Sequence, residues 1–156
     1  MATGKVQQGA FLVPHLSGAQ DPKKLARAWA NYLGDYAWTH FITHTFESEV
    51  TVEGAKRTFQ GWVRRIVRYS RGRVPWFAMV ERSPGGLVHV HSFVHVRALG
   101  PVALQEAWFA GRCQALVYDA KLGARFYITK YIACGCGDHY DLSGNWIPIV
   151  EMRVAS

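Results

Sequence analysis

The stretch WFAMVERSPGGLVHVHSFVHVR, residues 76–97, decides the reading of the fold. Trp76 to Arg82 and Leu87 to Arg97 are two runs rich in aromatic and β-branched residues. Between them stands Ser83-Pro84-Gly85-Gly86, a turn signal, so the two runs predict an antiparallel hairpin. Side chains alternate along a strand. Val88, Val90, Val94 and Val96 therefore share one face, and Leu87, His89, His91, Phe93 and His95 share the other. The valine face is a seat for helices. The other face carries three imidazoles that an apolar core would bury only at a cost.

Working outward, Asp21-Pro22 is an N-cap followed by a first-turn proline, and Leu25, Trp29, Tyr32 and Leu33 keep helical spacing up to Gly34. Tyr36 to Phe46 reads as a strand. Thr51 caps a helix running to about Ser70, with Ala55, Phe59, Trp62, Val63, Ile66 and Val67 on one stripe. Pro101 opens a helix to about Gln114, Ala115 to Leu122 reads as a strand, and a short helix from about Ala124 to Ala133 ends at Gly135. After the first helix the order is β-α-β-β-α-β-α. This predicts an α+β fold of split-βαβ, ferredoxin-like type: an antiparallel sheet with two helices on one face and the last helix over the other. Residues 1–20 are expected to form a loosely structured extension, and 21–156 a single domain.

Composition agrees with one core. Of 156 residues, 49% are apolar and 13% aromatic, which excludes low-complexity disorder. Eighteen Lys and Arg against eleven Asp and Glu give +7, with pI near 9.6. That balance favours polyanion partners, nucleic acid first and anionic membrane second. No apolar run approaches the roughly 18 residues of a membrane span, and Met1 to Gln20 lacks a signal-peptide layout. Three cysteines, two of them in a C-x-C pair, point to a reducing, cytoplasmic interior. A phosphate loop of G-x-x-x-x-G-K-[ST] type is missing, so no nucleotide cofactor is expected.

His89 and His91 lie on one strand face, about 6.7 Å apart along the backbone, close enough to converge on one ion. Alone, the pair also reads as satisfied or solvent-facing histidines, since about 0.3 such pairs are expected by chance. If Pro84-Gly85-Gly86 forms a three-residue loop, Glu81 falls directly opposite His89, and a carboxylate joins the imidazoles. Requiring an acid there lowers the chance expectation to about 0.02. Two nitrogens and one carboxylate leave half of an octahedral shell open, which suits Mg²⁺ or Mn²⁺ acting on a phosphate. Downstream, Tyr127 and Tyr131 stand at i,i+4 with Lys130 between them, in a helical wedge about 100° wide. A phenol is a weak nucleophile at neutral pH and needs a cation or metal beside it; Lys130 supplies one. The plain alternative is an amphipathic helix resting two phenols on the sheet edge.

A histidine–hydrophobe–histidine strand followed some 36 residues later by Tyr127-x-x-Lys130-Tyr131 resembles the HUH endonucleases, specifically the rolling-circle replication initiators. Phe41-Ile42-Thr43-His44-Thr45-Phe46 is similar to their first motif, with His44 where an apolar residue is usual. The resemblance spans about Phe41 to Tyr131 and implies a sheet of about five antiparallel strands. It also implies that Tyr127 attacks a scissile phosphate in single-stranded origin DNA, forming a 5′-phosphotyrosine and freeing a 3′-OH. Glu81, His89 and His91 would hold Mn²⁺ or Mg²⁺. Lys130 would position or ionise Tyr127, with Tyr131 accessory, because the two-tyrosine initiators carry a further Lys where this chain has Cys134. Candidate DNA contacts are Thr43, Thr45, His95 and Arg97. Helicase and polymerase would act in trans in a bacterial or phage-host cytoplasm, with no part for a membrane.

Other readings stay beside this one. A single-tyrosine insertion-sequence transposase would take its third ligand from the nucleophile's helix, where Tyr131 stands. A non-catalytic RNA- or single-strand-binding module shares the topology, and a polyanion binder would need charge alone. Cys134, Cys136 and His139, with Cys113 or Asp138, form a candidate zinc set, or else small residues at a helix end. Lys56 to Arg73 holds seven basic residues and no acid; Arg57, Arg64, Arg68 and Arg71 fall opposite the apolar stripe and should point away from the metal. The alternation leaves open which face His40 and His44 occupy.

Overall fold

The computed structural model describes residues 4–8, 11–15, 21–134, 137–143 and 146–149, with side chains for 21–129, 143 and 146–149. Gly4–Gln8 (β1) and Phe11–His15 (β2) pair antiparallel with each other. The order then runs α1 (Pro22–Gly34), β3 (His40–Thr45), α2 (Val52–Ser70), β4 (Trp76–Arg82), β5 (Val88–Val94), α3 (Pro101–Glu106), β6 (Cys113–Val117), α4 (Ala124–Cys134) and β7 (Gly137–Leu142). The fold is α+β. Strands β6, β3, β5 and β4 lie side by side in an open antiparallel sheet, and β7 pairs along the outer edge of β4 with a register shift at Val80/Glu81.

The helices start where the caps direct. Asp21 accepts from Lys23 N at 3.0 Å and Thr51 Oγ1 from Gly54 N at 3.0 Å, each satisfying a first-turn amide. Helix α2 lays Ala55, Phe59, Trp62 and Ile66 on Ile42, Val80, Val90 and Val94, and α3 adds Leu104. Full burial of such side chains stabilises by about 1.5–3 kcal/mol each. On the opposite face, Trp29 and Leu33 of α1 and Ile128 of α4 close over Phe77, Met79 and Phe93, with Trp38 and Trp146 filling the gap. That second cover reaches only half the face. At the hairpin end, Glu81, His89, Thr43 and Thr45 remain partly exposed.

The expected bounds of three elements are corrected. The helix opened by Pro101 ends at Glu106 rather than Gln114, because residues beyond it serve β3 instead. Glu47 N donates to Ala110 O and Thr45 N to Arg112 O, and Trp108 Nε1 donates to Thr45 O. The crossing is made at Gly111, with φ of 148°, where a Cβ would collide with the Thr45 carbonyl and lie 2.7 Å from Glu47 N. As a result β6 starts at Cys113 and stops at Val117, short of the expected Leu122. The strand read from Tyr36 to Phe46 is shorter too, spanning His40–Thr45.

Candidate active site

The hairpin has the register that a three-residue loop demands: Ser83 N donates to Leu87 O, and Glu81 pairs with His89. The pleat then sends Glu81, His89 and His91 to the half-open face. The carboxylate meets the diagonal histidine rather than the directly opposed one. Glu81 Oε2 accepts from His91 Nε2 at 2.6 Å, a short charge-assisted bond with both side chains largely shielded from water. His89 stands alongside, its ring 6.4 Å from that of His91 and nearly parallel to it.

Strand β3 supplies the backing for both imidazoles. Thr43 opposes His91 and Thr45 opposes His89. The Thr43 hydroxyl shares a hydrogen bond of 3.2 Å with His91 Nδ1, and the Thr45 hydroxyl one of 3.3 Å with His89 Nδ1. Holding Nδ1 fixes each ring and turns Nε2 away from β3, in His91 toward the Glu81 carboxylate; a hydrogen bond at Nδ1 is how histidines are oriented for metal binding through Nε2. These threonines, expected as DNA contacts, are thus positioned as supports for the histidines.

Helix α4 brings Tyr127 over this cluster. Ile128 and Thr129 are fully buried, so the helix is pinned on that side, while Tyr127 keeps 42% of its surface in water. The Tyr127 ring meets the His91 ring edge to face, centroids 5.5 Å apart, and Phe41 lies parallel to His91 at 6.2 Å. The side chains of Lys130 and Tyr131 lie outside the described residues, as do those of Cys134, Cys136, Asp138 and His139. Cys113 is separable from Asp138 and His139: β6 and β7 occupy opposite edges of the sheet, roughly 19 Å apart at one strand spacing per step.

Other candidates lie elsewhere. His95 Nδ1 donates to the Ala37 carbonyl at 2.8 Å, beyond the covered half of the face, and Arg97 follows it, exposed. The structure brings neither to the imidazole cluster. His40 and His44 face the α2 side. His44 is wholly buried among Phe59, Trp62 and Trp108, with Ser92 Oγ 3.4 Å from Nε2 and Cys113 Sγ 3.7 Å from Nδ1. Burial, and secondarily the charge of His91, pushes its imidazole down to about 3, and burial pushes the Cys113 thiol up to about 12. Both are neutral packing groups. Arg57, Arg64, Arg68 and Arg71 are exposed on or just beyond α2, behind the sheet.

Among the described residues, no three imidazole, carboxylate or thiol groups are yet gathered around one point. The donor set nevertheless fits a hard divalent ion. It offers one carboxylate and two imidazoles whose Nδ1 atoms are engaged by Thr43 and Thr45; His89 would ligate through Nε2, and His91 through Nε2 once its bond to Glu81 is exchanged for one to the ion. Two cavities of about 480 Å³ each flank the cluster. One is lined by Thr43, Thr45, Gln105, Arg112 and Gln114, and brings in Arg112, a cation that spacing alone did not select. The other adjoins Tyr127. Among the described residues no helix is long and apolar enough to cross a membrane. No family model, curated protein or solved structure matches this chain.

Proposed function

We propose that this chain is a metal-assisted, tyrosine-nucleophile nickase and strand-transferase for single-stranded DNA, of the HUH type that initiates rolling-circle replication. The observation that carries the reading is the edge-to-face contact of Tyr127 with His91, whose Nε2 is in turn 2.6 Å from the Glu81 carboxylate. The ring of a tyrosine whose phenol could attack phosphorus thus adjoins a donor set that would hold a divalent ion. The arrangement β3-α2-β4-β5-α3-β6, with strand order β6-β3-β5-β4, supports the split-βαβ assignment, and β7 on the β4 edge supports a fifth strand.

Glu81, His89 and His91 would hold a divalent ion, which would supply Lewis-acid polarisation of the scissile phosphate. The chain's own residues do the rest. Thr43 and Thr45 keep the imidazole rings from turning, and the buried Ile128 face of α4 holds the phenol at a fixed height over the cluster. Tyr127 Oη bonds to phosphorus as the P–O3′ bond breaks, and the phenol proton ends on the departing 3′ oxygen. The phosphodiester is exchanged rather than hydrolysed, so attack by a 3′-OH reverses the step without ATP. Lys130 serves as the positioning cation and Tyr131 as an accessory. Unwinding and extension fall to a helicase and a polymerase acting in trans.

The test is a covalent adduct. Protein incubated with a randomised single-stranded DNA library and Mn²⁺ should yield a denaturant-stable protein–DNA species. Tyr127→Phe and chelation should each abolish it. An adduct that survives Tyr127→Phe but vanishes in Tyr131→Phe overturns the choice of nucleophile. Salt-sensitive binding with no adduct from any sequence overturns the enzyme in favour of a binding module.

A further inference from the structure

We infer that the cavity beside Tyr127 receives one unstacked base of the DNA strand, a subsite that rests on the nickase reading above. The space is about 480 Å³, within the range of pockets that enclose a small ligand. Phe41 of β3, Leu116 of β6, and Tyr118 and Leu122 ahead of α4 line it, together with Tyr127. Leu116 and Leu122 leave 49% and 79% of their surface in water. Single exposed leucines need no explanation. Two that border one concavity, next to two aromatic rings and the candidate nucleophile, form an apolar seat.

The polar atoms of the wall decide what the seat accepts. Gln114 and Asp119 also line it. Asp119 Oδ1 accepts from Lys121 N at 2.8 Å, which orients the carboxylate and leaves Oδ2 to accept from a ligand. A carboxylate repels a phosphodiester, so the sugar–phosphate backbone is turned away from this wall. A nucleobase suits it: a π-face for the aromatic and aliphatic groups, and an amino or imino N–H for Asp119. The net charge of +7 draws the strand to the protein without reference to sequence. The cavity then holds one base of the nucleotides beside the phosphate presented to Tyr127, and gives the site a sequence preference there.

The experiment needs no cleavage. Without metal, affinity is measured for a short mixed-sequence single-stranded oligonucleotide and for an abasic strand of equal length and charge, while leucine methyl resonances are followed by NMR. The ordinary strand is expected to bind more tightly and to shift the Leu116 and Leu122 methyls; the abasic strand is expected to leave them in place. Leu116→Ser and Leu122→Ser, at exposed positions, should each weaken the ordinary strand by about tenfold and leave abasic binding unchanged. Equal affinity for both strands, or unmoved methyls, overturns the base pocket even where the Tyr127 adduct forms. Base-dependent binding with no adduct under Mn²⁺ overturns the nickase and leaves the pocket standing.

Discussion

Acidification should weaken this fold through one residue, His44. Its ring is wholly buried between Trp62, Trp108 and Phe59 and is held near a pKa of about 3. In the unfolded chain the same imidazole takes its ordinary value of 6.5. The unfolded state therefore binds the proton first. The stability at issue is present above pH 6.5 and is lost as pH falls toward 3. At pH 5 the interval of about 1.5 pH units, at about 1.4 kcal/mol per unit, gives a loss of about 2 kcal/mol relative to pH 7. For a domain of this size that is a fall in Tm of about 4–8 °C. Urea unfolding followed by tryptophan fluorescence at pH 7, 6 and 5 measures the effect. His40 and His95 are also pushed down, chiefly by burial, and lose stability in the same direction. The informative quantity is therefore the difference from His44→Leu, which keeps an apolar side chain in that slot and cannot titrate. Wild type should lose about 2 kcal/mol more than His44→Leu between pH 7 and pH 5. Parallel losses in the two proteins would refute the argument and place the acid sensitivity elsewhere.

Other outcomes follow from the same geometry. Thr43→Val removes the hydroxyl at His91 Nδ1 and should weaken Mn²⁺ binding about 10- to 100-fold in a calorimetric titration, with the fold intact by circular dichroism. Gly111→Ala should destabilise by more than about 1 kcal/mol in denaturant unfolding, since its φ of 148° and its contact with the Thr45 carbonyl leave no room for a methyl. Replacing Arg57, Arg64 and Arg68 together with Gln removes charge from the face of α2 behind the sheet. The slope of log affinity against log salt for a short single strand should stay unchanged, because the proposed strand path lies on the other side.

Much of the site is legible from residues 76–97 because a tight loop leaves no freedom of register. Once Pro84 and the two glycines close the turn, Glu81 must oppose His89, and the pleat puts both on the histidine face. Helix α2 is equally readable, from a capping threonine and a stripe of large apolar residues. Where the reading stops, the cause is tertiary. Ala107 to Arg112 contains nothing that forbids a helix; what ends α3 is the demand of β3 for hydrogen-bond partners on its free edge. The alternation in β3 sets histidines against Phe41 and threonines, so neither set is clearly the apolar one, and only the packed structure shows His44 inside. The contact of Glu81 with His91 rather than His89 depends on side-chain reach across a diagonal. The cavity beside Tyr127 depends on Leu116 and Leu122 being left in water, which their residue type would not suggest.

Strand β3 carries two independent messages on one backbone. Its odd positions, Phe41, Thr43 and Thr45, line the imidazole cluster and its flanking cavities, and its even positions, His40, Ile42 and His44, furnish the packing side. Variation can therefore rewrite either set by substitution without disturbing the other. A one-residue insertion or deletion is different in kind, because it exchanges the two sets at a stroke, burying the threonines and exposing the core. Lineages and libraries that diversify this strand should therefore preserve its length while its alternate letters drift at separate rates.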